Sequence, residues 1–159
     1  MQVNVIKNKK RGCFIMLSHQ VASVFIINDK NEILLINHKK LIVWLPPGGH
    51  VEHEKNELIH HAAIREVMEE TGVHFKFISG GKGDMNKVLG SLPLPSFIQL
   101  EDLGDHYHED FIYVGLFVSN DIPKEATEIK WFNKESINSI NTFEHVKRHL
   151  QIICNRYFI

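Results

Sequence analysis

An α+β fold is what this sequence predicts, and three observations carry that expectation. Short runs rich in β-branched and aromatic residues recur along the chain. One amphipathic helix interrupts them at residues 57–70, and a second closes the chain after residue 141. Strands gathered around one helix, with another helix at the end, fit an α+β arrangement better than a regular βαβ alternation.

Residues 21–27 are apolar and β-rich, as in a buried strand. Asn28-Asp29-Lys30-Asn31 is a turn cluster, and residues 32–37 return as a second strand of a hairpin. Residues 41–45 lead into Pro46-Pro47-Gly48-Gly49, which breaks regular structure. The first helix has an apolar stripe at Ile59, Ala63 and Val67, widened by Ile64 and Met68, and Gly72 stands where a C-terminal cap is expected. Strands are expected at residues 73–78, 97–101, 110–118 and 128–132, with a glycine-rich loop at 79–86. Asn141, followed three residues later by Glu144, reads as a capping box. Phe143, Val146, Leu150 and Ile153 give the last helix its apolar face.

The chain has 159 residues, and its expected organisation is one domain over 1–159, large enough to bury a core. Hydrophobic residues make up 43% and charged residues 23%, as in ordinary globular proteins. The net charge of −1 gives no basic field for long nucleic acid. Cys13 and Cys154 form no Cys-x-x-Cys pair, so a reduced, cytoplasmic protein is expected. Lys7, Lys9, Lys10 and Arg11 precede a short apolar run at residues 13–17, which Ser18-His19-Gln20 interrupts before it reaches the length of an export segment. No run approaches a membrane span, so no membrane partner is expected.

The first helix carries the chemistry. Glu66, Glu69 and Glu70 stand at i, i+3 and i+4 and share one face. Like charges at that spacing oppose a helix by roughly 0.2–0.5 kcal/mol per exposed pair. A divalent cation reverses the sign, because carboxylate oxygens are the ligands a hard ion such as Mg²⁺ takes.

From Gly48-Gly49-His50-Val51-Glu52, through Glu57, to Arg65-Glu66-Val67-Met68-Glu69-Glu70-Thr71-Gly72-Val73, the chain resembles the Nudix hydrolase signature. At about 5–7% usage per residue type, the Arg-Glu, Glu-Glu and Gly positions coincide at a given site roughly once in a few million trials. The box spans residues 49–73 with one departure. Counting from Gly49 puts the upstream glutamate at Lys55, whereas counting back from Arg65 puts it at Glu57. A two-residue loop insertion reconciles the two, since a loop absorbs it cheaply and a helix would rotate its carboxylates apart. Trp44-Leu45-Pro46-Pro47 before the box and Trp131-Phe132 near the end agree with the resemblance. It implies an α/β/α sandwich with a mixed β-sheet between helices.

The resemblance also implies roles. Glu66, Glu69 and Glu70 would hold Mg²⁺ or Mn²⁺, assisted by the Gly49 carbonyl. Arg65 would bridge to Glu57 or Glu69 and orient that carboxylate. Glu57 would act from just outside the ion. The general base is left open among Glu128, which is preferred, Glu125 and Glu109. The implied reaction is attack of water on the pyrophosphate linkage of a nucleoside diphosphate joined to another moiety. The partner would be a small nucleotide, read by loops 79–86 and 92–108, and a homodimer is compatible with the sequence.

Other readings are weaker. An enzyme like isopentenyl diphosphate isomerase needs a cysteine near the box, and Cys13 and Cys154 are remote in sequence. A non-catalytic nucleotide sensor usually carries an eroded box or an added DNA-binding domain. No basic stripe with interleaved aromatics favours RNA ends. His106 and His108 lack the spacing of a structural zinc site and have no cysteine partner, so substrate contact or plain exposure is expected. His60 and His61 are expected to face solvent, as is Lys82 in its loop.

Overall fold

The computed structural model describes residues 17–79, 92–125 and 127–158. Cys13, the basic start and Lys82 with its glycine-rich loop lie outside these residues. The strands are β1 (Ser18–Ile27), β2 (Ile33–His38), β3 (Val43–Leu45), β4 (Gly48–His50), β5 (Val73–Phe77), β6 (Phe97–Asp102), β7 (Tyr107–Asn120) and β8 (Ile129–Phe132). The helices are α1 (Ile59–Thr71), α2 (Lys134–Ile137) and α3 (Glu144–Tyr157).

A parallel ladder between β1 and β7 forms the centre of the sheet, from Ser18 opposite Tyr107 to Ile27 opposite Leu116. Parallel strands are normally covered on both faces, and seven consecutive β1 residues from Val21 to Ile27 are buried. All other strand pairs are antiparallel. β1 turns into β2 through the expected hairpin, whose turn is held by Asn28, with its Nδ2 2.8 Å from Glu32 Oε2. The sheet divides at both ends of the ladder. β1 takes β4 beside its start and β2 beside its end, while β7 takes β6 and then β5.

Side chains alternate across a strand, so each central strand feeds two cores. Phe25, Ile27, Ile112 and Val114 pack with Val146, Leu150 and Ile153 of α3. Ala22, Val24, Ile26 and Tyr113 pack with Ala62, Ala63 and Val67 of α1. The result is a mixed sheet between helices, the expected sandwich.

Several local expectations are corrected. α1 starts at Ile59, not at residue 57, and Leu58 stands at its N-cap without a side-chain cap. Its buried face is centred on Ala62, Ala63 and Val67, so Ile64 is left 45% exposed. His60 is buried beneath this helix rather than solvent-facing, and its Nε2 has no hydrogen-bond partner. Asn141 does not cap α3. Its side chain donates instead to the Ile42 carbonyl at 2.9 Å, and α3 begins after Phe143. β7 begins at Tyr107, three residues before the expected start. The short helix α2 has no apolar period to announce it and is capped by Asn133, which accepts from the Ser136 amide at 3.0 Å. Among the described residues, no helix is long and apolar enough to cross a membrane.

Gly72 ends α1 as the sequence predicts, with φ 69° and its amide donating to the Met68 carbonyl. A Cβ there would also meet the backbone carbonyl of Asp121, which cannot move independently of the chain. Gly72→Ala should therefore lower unfolding free energy by more than about 1 kcal/mol. Chemical denaturation is the check, and an unchanged midpoint would contradict this account of the cap.

Candidate active site

Arg65 organises the acidic face of α1. Its guanidinium makes five hydrogen bonds, one for each N–H it has to give. Nε and Nη2 clasp Glu57 at 2.7 and 2.9 Å. Nη1 reaches Glu66 at 2.7 Å and Glu69 at 3.3 Å, and Nη2 also donates to the His50 carbonyl at 2.9 Å. A planar fork matched to a carboxylate fixes orientation as well as charge. The contact with Glu57 holds that carboxyl below the usual range.

The two-residue excess is absorbed before the helix. Residues His53–Lys55 form one 3-10 turn, closed by Asn56 at φ 57°. The loop is thus a compact turn rather than the extended segment that an insertion suggests. Glu57 Oε2 accepts from the Glu52 amide at 2.9 Å, so the same carboxylate ties the turn to Arg65. Lys55 points outward, 72% exposed, and pairs with Glu52.

β4 lies against the carboxylates. The Gly48 amide donates to Glu70 Oε2 at 2.9 Å. A Cβ on Gly49 would stand 2.5 Å from Glu66 Cδ, so only glycine allows this approach. Burial pushes Glu66 upward. Burial pushes Glu70 up to about 7, aided by the charges of Glu66, Glu125 and Glu69 and opposed by the Gly48 bond. An all-oxygen donor set, crowded and partly buried, suits a hard divalent cation that would relieve its repulsion. Glu66, Glu69, Glu70 and the Gly48-Gly49 backbone therefore fit such an ion.

The three candidate bases separate in space. The Glu125 amide donates to the Glu69 carbonyl at 2.9 Å, and its carboxylate acts on Glu66 and Glu70. Glu128 turns to Asn37, which donates to it at 2.8 Å, on an open part of the surface. Glu109 accepts from Ser18 Oγ at 3.1 Å. Of the three, Glu125 is held beside the carboxylate cluster, whereas the preferred Glu128 is engaged with Asn37.

His106 and His108, expected to touch substrate or lie exposed, are half-buried. Parallel pairing sets His19 beside His108, and β4 adds His50. The His50 ring lies 4.8 Å from that of His108, and His19 lies 4.7 Å from His106. His108 and His50 are held below the usual imidazole range, first by burial. His19 and His50 carry no local signal in the sequence, since the pairing that unites them spans most of the chain.

The NUDIX domain family model matches residues 17–155. A crystal structure of a Nudix-family hydrolase from Clostridium perfringens superposes with TM-score 0.72, at 31% identity, over 86% of this chain and 96% of that one. The asymmetrical bis(5'-nucleosyl)-tetraphosphatase of Mus musculus is 26% identical over 145 residues, 89% of this chain and 90% of the mouse protein. A Bacillus subtilis (strain 168) protein named for 8-oxo-dGTP diphosphatase activity is 42% identical over 53 residues, only 33% of this chain and 34% of its own length. The chain belongs to the Nudix family of hydrolases.

The Arg65–Glu57 clasp makes the register testable. Glu57→Gln should cut turnover strongly with little loss of stability, because it removes a charge beside the carboxylate cluster and no core contact. Lys55→Gln should change little, as exposed substitutions usually do. Steady-state kinetics on both variants decide the matter; a normal Glu57→Gln with a crippled Lys55→Gln would refute this register.

Proposed function

We propose that the protein hydrolyses the pyrophosphate linkage of a small nucleotide, a nucleoside diphosphate joined to another moiety, with Mg²⁺ or Mn²⁺ as cofactor. The observation that carries this reading is the gathering of three carboxylates on one helix face, Glu66 and Glu70 against the Gly48-Gly49 backbone and Glu69 joined to Glu66 through Arg65. A bound divalent ion would supply charge for the phosphate oxygens and a more acidic water.

The chain's own residues have separate tasks in this reading. Glu66, Glu69 and Glu70 hold the cofactor, and the Gly49 carbonyl assists. Arg65 keeps Glu66 and Glu69 from turning away from each other. Glu57 neutralises Arg65 on its far side, and through the Glu52 amide it fixes the turn leading to the helix. Glu125 accepts the proton of the attacking water. Its placement is supported by the bond from its amide to Glu69 and by the loop's second anchor, the pair between Lys124 and Glu69 at 3.3 Å.

The substrate class follows from the relatives and from charge. The mouse relative's name denotes a dinucleoside tetraphosphate and the Bacillus relative's an oxidised nucleoside triphosphate. Both are small polyphosphates, and the net charge of −1 gives no support to a long nucleic acid. A turnover screen across dinucleoside polyphosphates, nucleoside triphosphates, nucleotide sugars and ADP-ribose is the direct test.

Chelator should abolish turnover, and Glu70→Gln should reduce it by orders of magnitude in a folded protein. Full activity in excess chelator would sink the metal reading. Stability offers an independent check, since a ligand that binds only the folded state raises the melting temperature. Without the ion, folded Glu70 keeps its proton up to about 7, whereas 4.5 is its ordinary value. The metal-free protein therefore loses stability as pH rises across that interval, and the ion removes the loss. The Mg²⁺-induced rise in melting temperature should be larger near pH 8 than near pH 6; equal rises would contradict this linkage.

A further inference from the structure

The histidines at the start of the central ladder form a second constellation, distinct in chemistry from the carboxylates of α1. His19 on β1, His106 before β7 and His108 within it each offer one ring nitrogen, and all three nitrogens lie within 4.8 Å of one another. The two best placed, His106 Nε2 and His108 Nε2, stand 3.2 Å apart. Ligands bound to one tetrahedral zinc at 2.0–2.1 Å are about 3.3–3.4 Å from each other. The His106–His108 pair therefore already has that spacing. The third ring must close by at most about 1.4 Å, the difference between 4.8 and 3.4 Å, which a side-chain rotation supplies.

The carboxylate behind His106 decides what its facing nitrogen is. Asp105 Oδ1 lies 2.6 Å from His106 Nδ1, so the imidazole hydrogen belongs on Nδ1 and Nε2 carries a lone pair. Glu101 Oε2 lies 3.9 Å from His108 Nδ1, near enough to add negative charge beside that ring but beyond a hydrogen bond. The His106 lone pair faces His108 Nε2 at 3.2 Å, a spacing that a hydrogen bond from His108 fills in one tautomer and a shared cation fills in the other. A carboxylate bonded behind an imidazole, as Asp105 is to His106, is the arrangement that orients a histidine on a metal. Glu101 is itself braced by Gln99 at 2.6 Å and by His145 of α3 at 3.4 Å.

The position separates this constellation from the other ion. His19 follows the alternation of Ser23 and Phe25, and His108 that of Asp110 and Ile112. Both therefore point to the sheet face that α3 covers, whereas Glu66, Glu69 and Glu70 belong to α1 on the opposite face. His50 packs edge-on against His108 and walls the group on the β4 side. His106 and His108 remain 22% and 16% exposed, so an ion has a route in from solvent.

We propose that His19, His106 and His108 form a site for a divalent ion of the zinc class, with His106 oriented by Asp105, Glu101 adding negative charge nearby, and a fourth position left open. Imidazole nitrogen suits zinc and its neighbours, and the oxygen cage of α1 suits Mg²⁺. The two sites thus sort ions by donor chemistry, and neither requires the other to be filled.

The test uses the full chain, free of any histidine tag and stripped of metal, titrated with Zn²⁺ in saturating Mg²⁺. One Zn²⁺ per chain should bind and persist. His106→Ala and His108→Ala should each abolish that binding, and His19→Ala should weaken it at least tenfold. Asp105→Asn should weaken it about 10–100-fold, the usual effect of removing a carboxylate behind a ligand. Glu70→Gln and Cys13→Ser should leave it intact. Circular dichroism establishes that each variant is folded. Co²⁺ added to the wild-type protein gives a measurement that needs no variant, namely the intense visible absorption of a tetrahedral nitrogen site. Zn²⁺ fully displaced by Mg²⁺, binding that survives loss of both His106 and His108, or a weak octahedral Co²⁺ spectrum would each overturn the proposal.

Discussion

The parallel ladder between β1 and β7 is the constraint on which the rest depends. A parallel pair cannot be closed by a tight turn, so the whole segment from β2 to β6 lies between its two strands. That segment contains the box, and β4 returns it to β1 with Ala22 opposite Gly49. The approach of Gly49 to Glu66 is therefore a consequence of strand register. Shifting β4 by one residue would exchange its faces and put the His50 side chain where glycine now admits the carboxylate.

Against that rigid frame, α1 is a helix that violates its own local rules. It has no side-chain cap, no acidic residue in its first turn and three glutamates gathered towards its C-terminal half, where the helix dipole disfavours them. Arg65 offsets part of this by dividing its donors among Glu57, Glu66 and Glu69. The remainder of the cost is tertiary: Ala62, Ala63 and Val67 hold the helix on the sheet through buried contacts. Local conflict paid for by global packing is what a functional site looks like in a sequence that otherwise agrees with itself.

What was legible in the sequence follows the same division. The box could be read because its spacing is local: three carboxylates, an arginine and a terminal glycine within eight residues of one helix. The register of Glu57 could be argued because helices tolerate no insertion and loops do. The sandwich followed from strand runs and two apolar helix faces. The misreadings concern residues whose partners are distant. Asn141 had a sound capping signature, but the Ile42 carbonyl, 99 residues away, claims its side chain. His60 looked polar and exposed, yet it sits on the buried side of α1 beside Ala63, and His61 next to it stays half-buried. Glu128 and Glu125 are equivalent in sequence; only the bend that returns the chain from Gly72 and Asp121 to Glu69 distinguishes them.

His50 shows why the histidine group was invisible and why it adjoins the site all the same. Its backbone carbonyl receives Arg65, and its ring packs on His108. One residue therefore belongs to the oxygen-lined face through its main chain and to the nitrogen-lined face through its side chain. Strand geometry makes this possible, because a backbone lies in the sheet while side chains leave it alternately on each side. The sequence displays His50 only as the residue after two glycines. Its second environment exists only once β4 pairs with β1 and β1 pairs with β7, two long-range pairings that local periodicity does not encode.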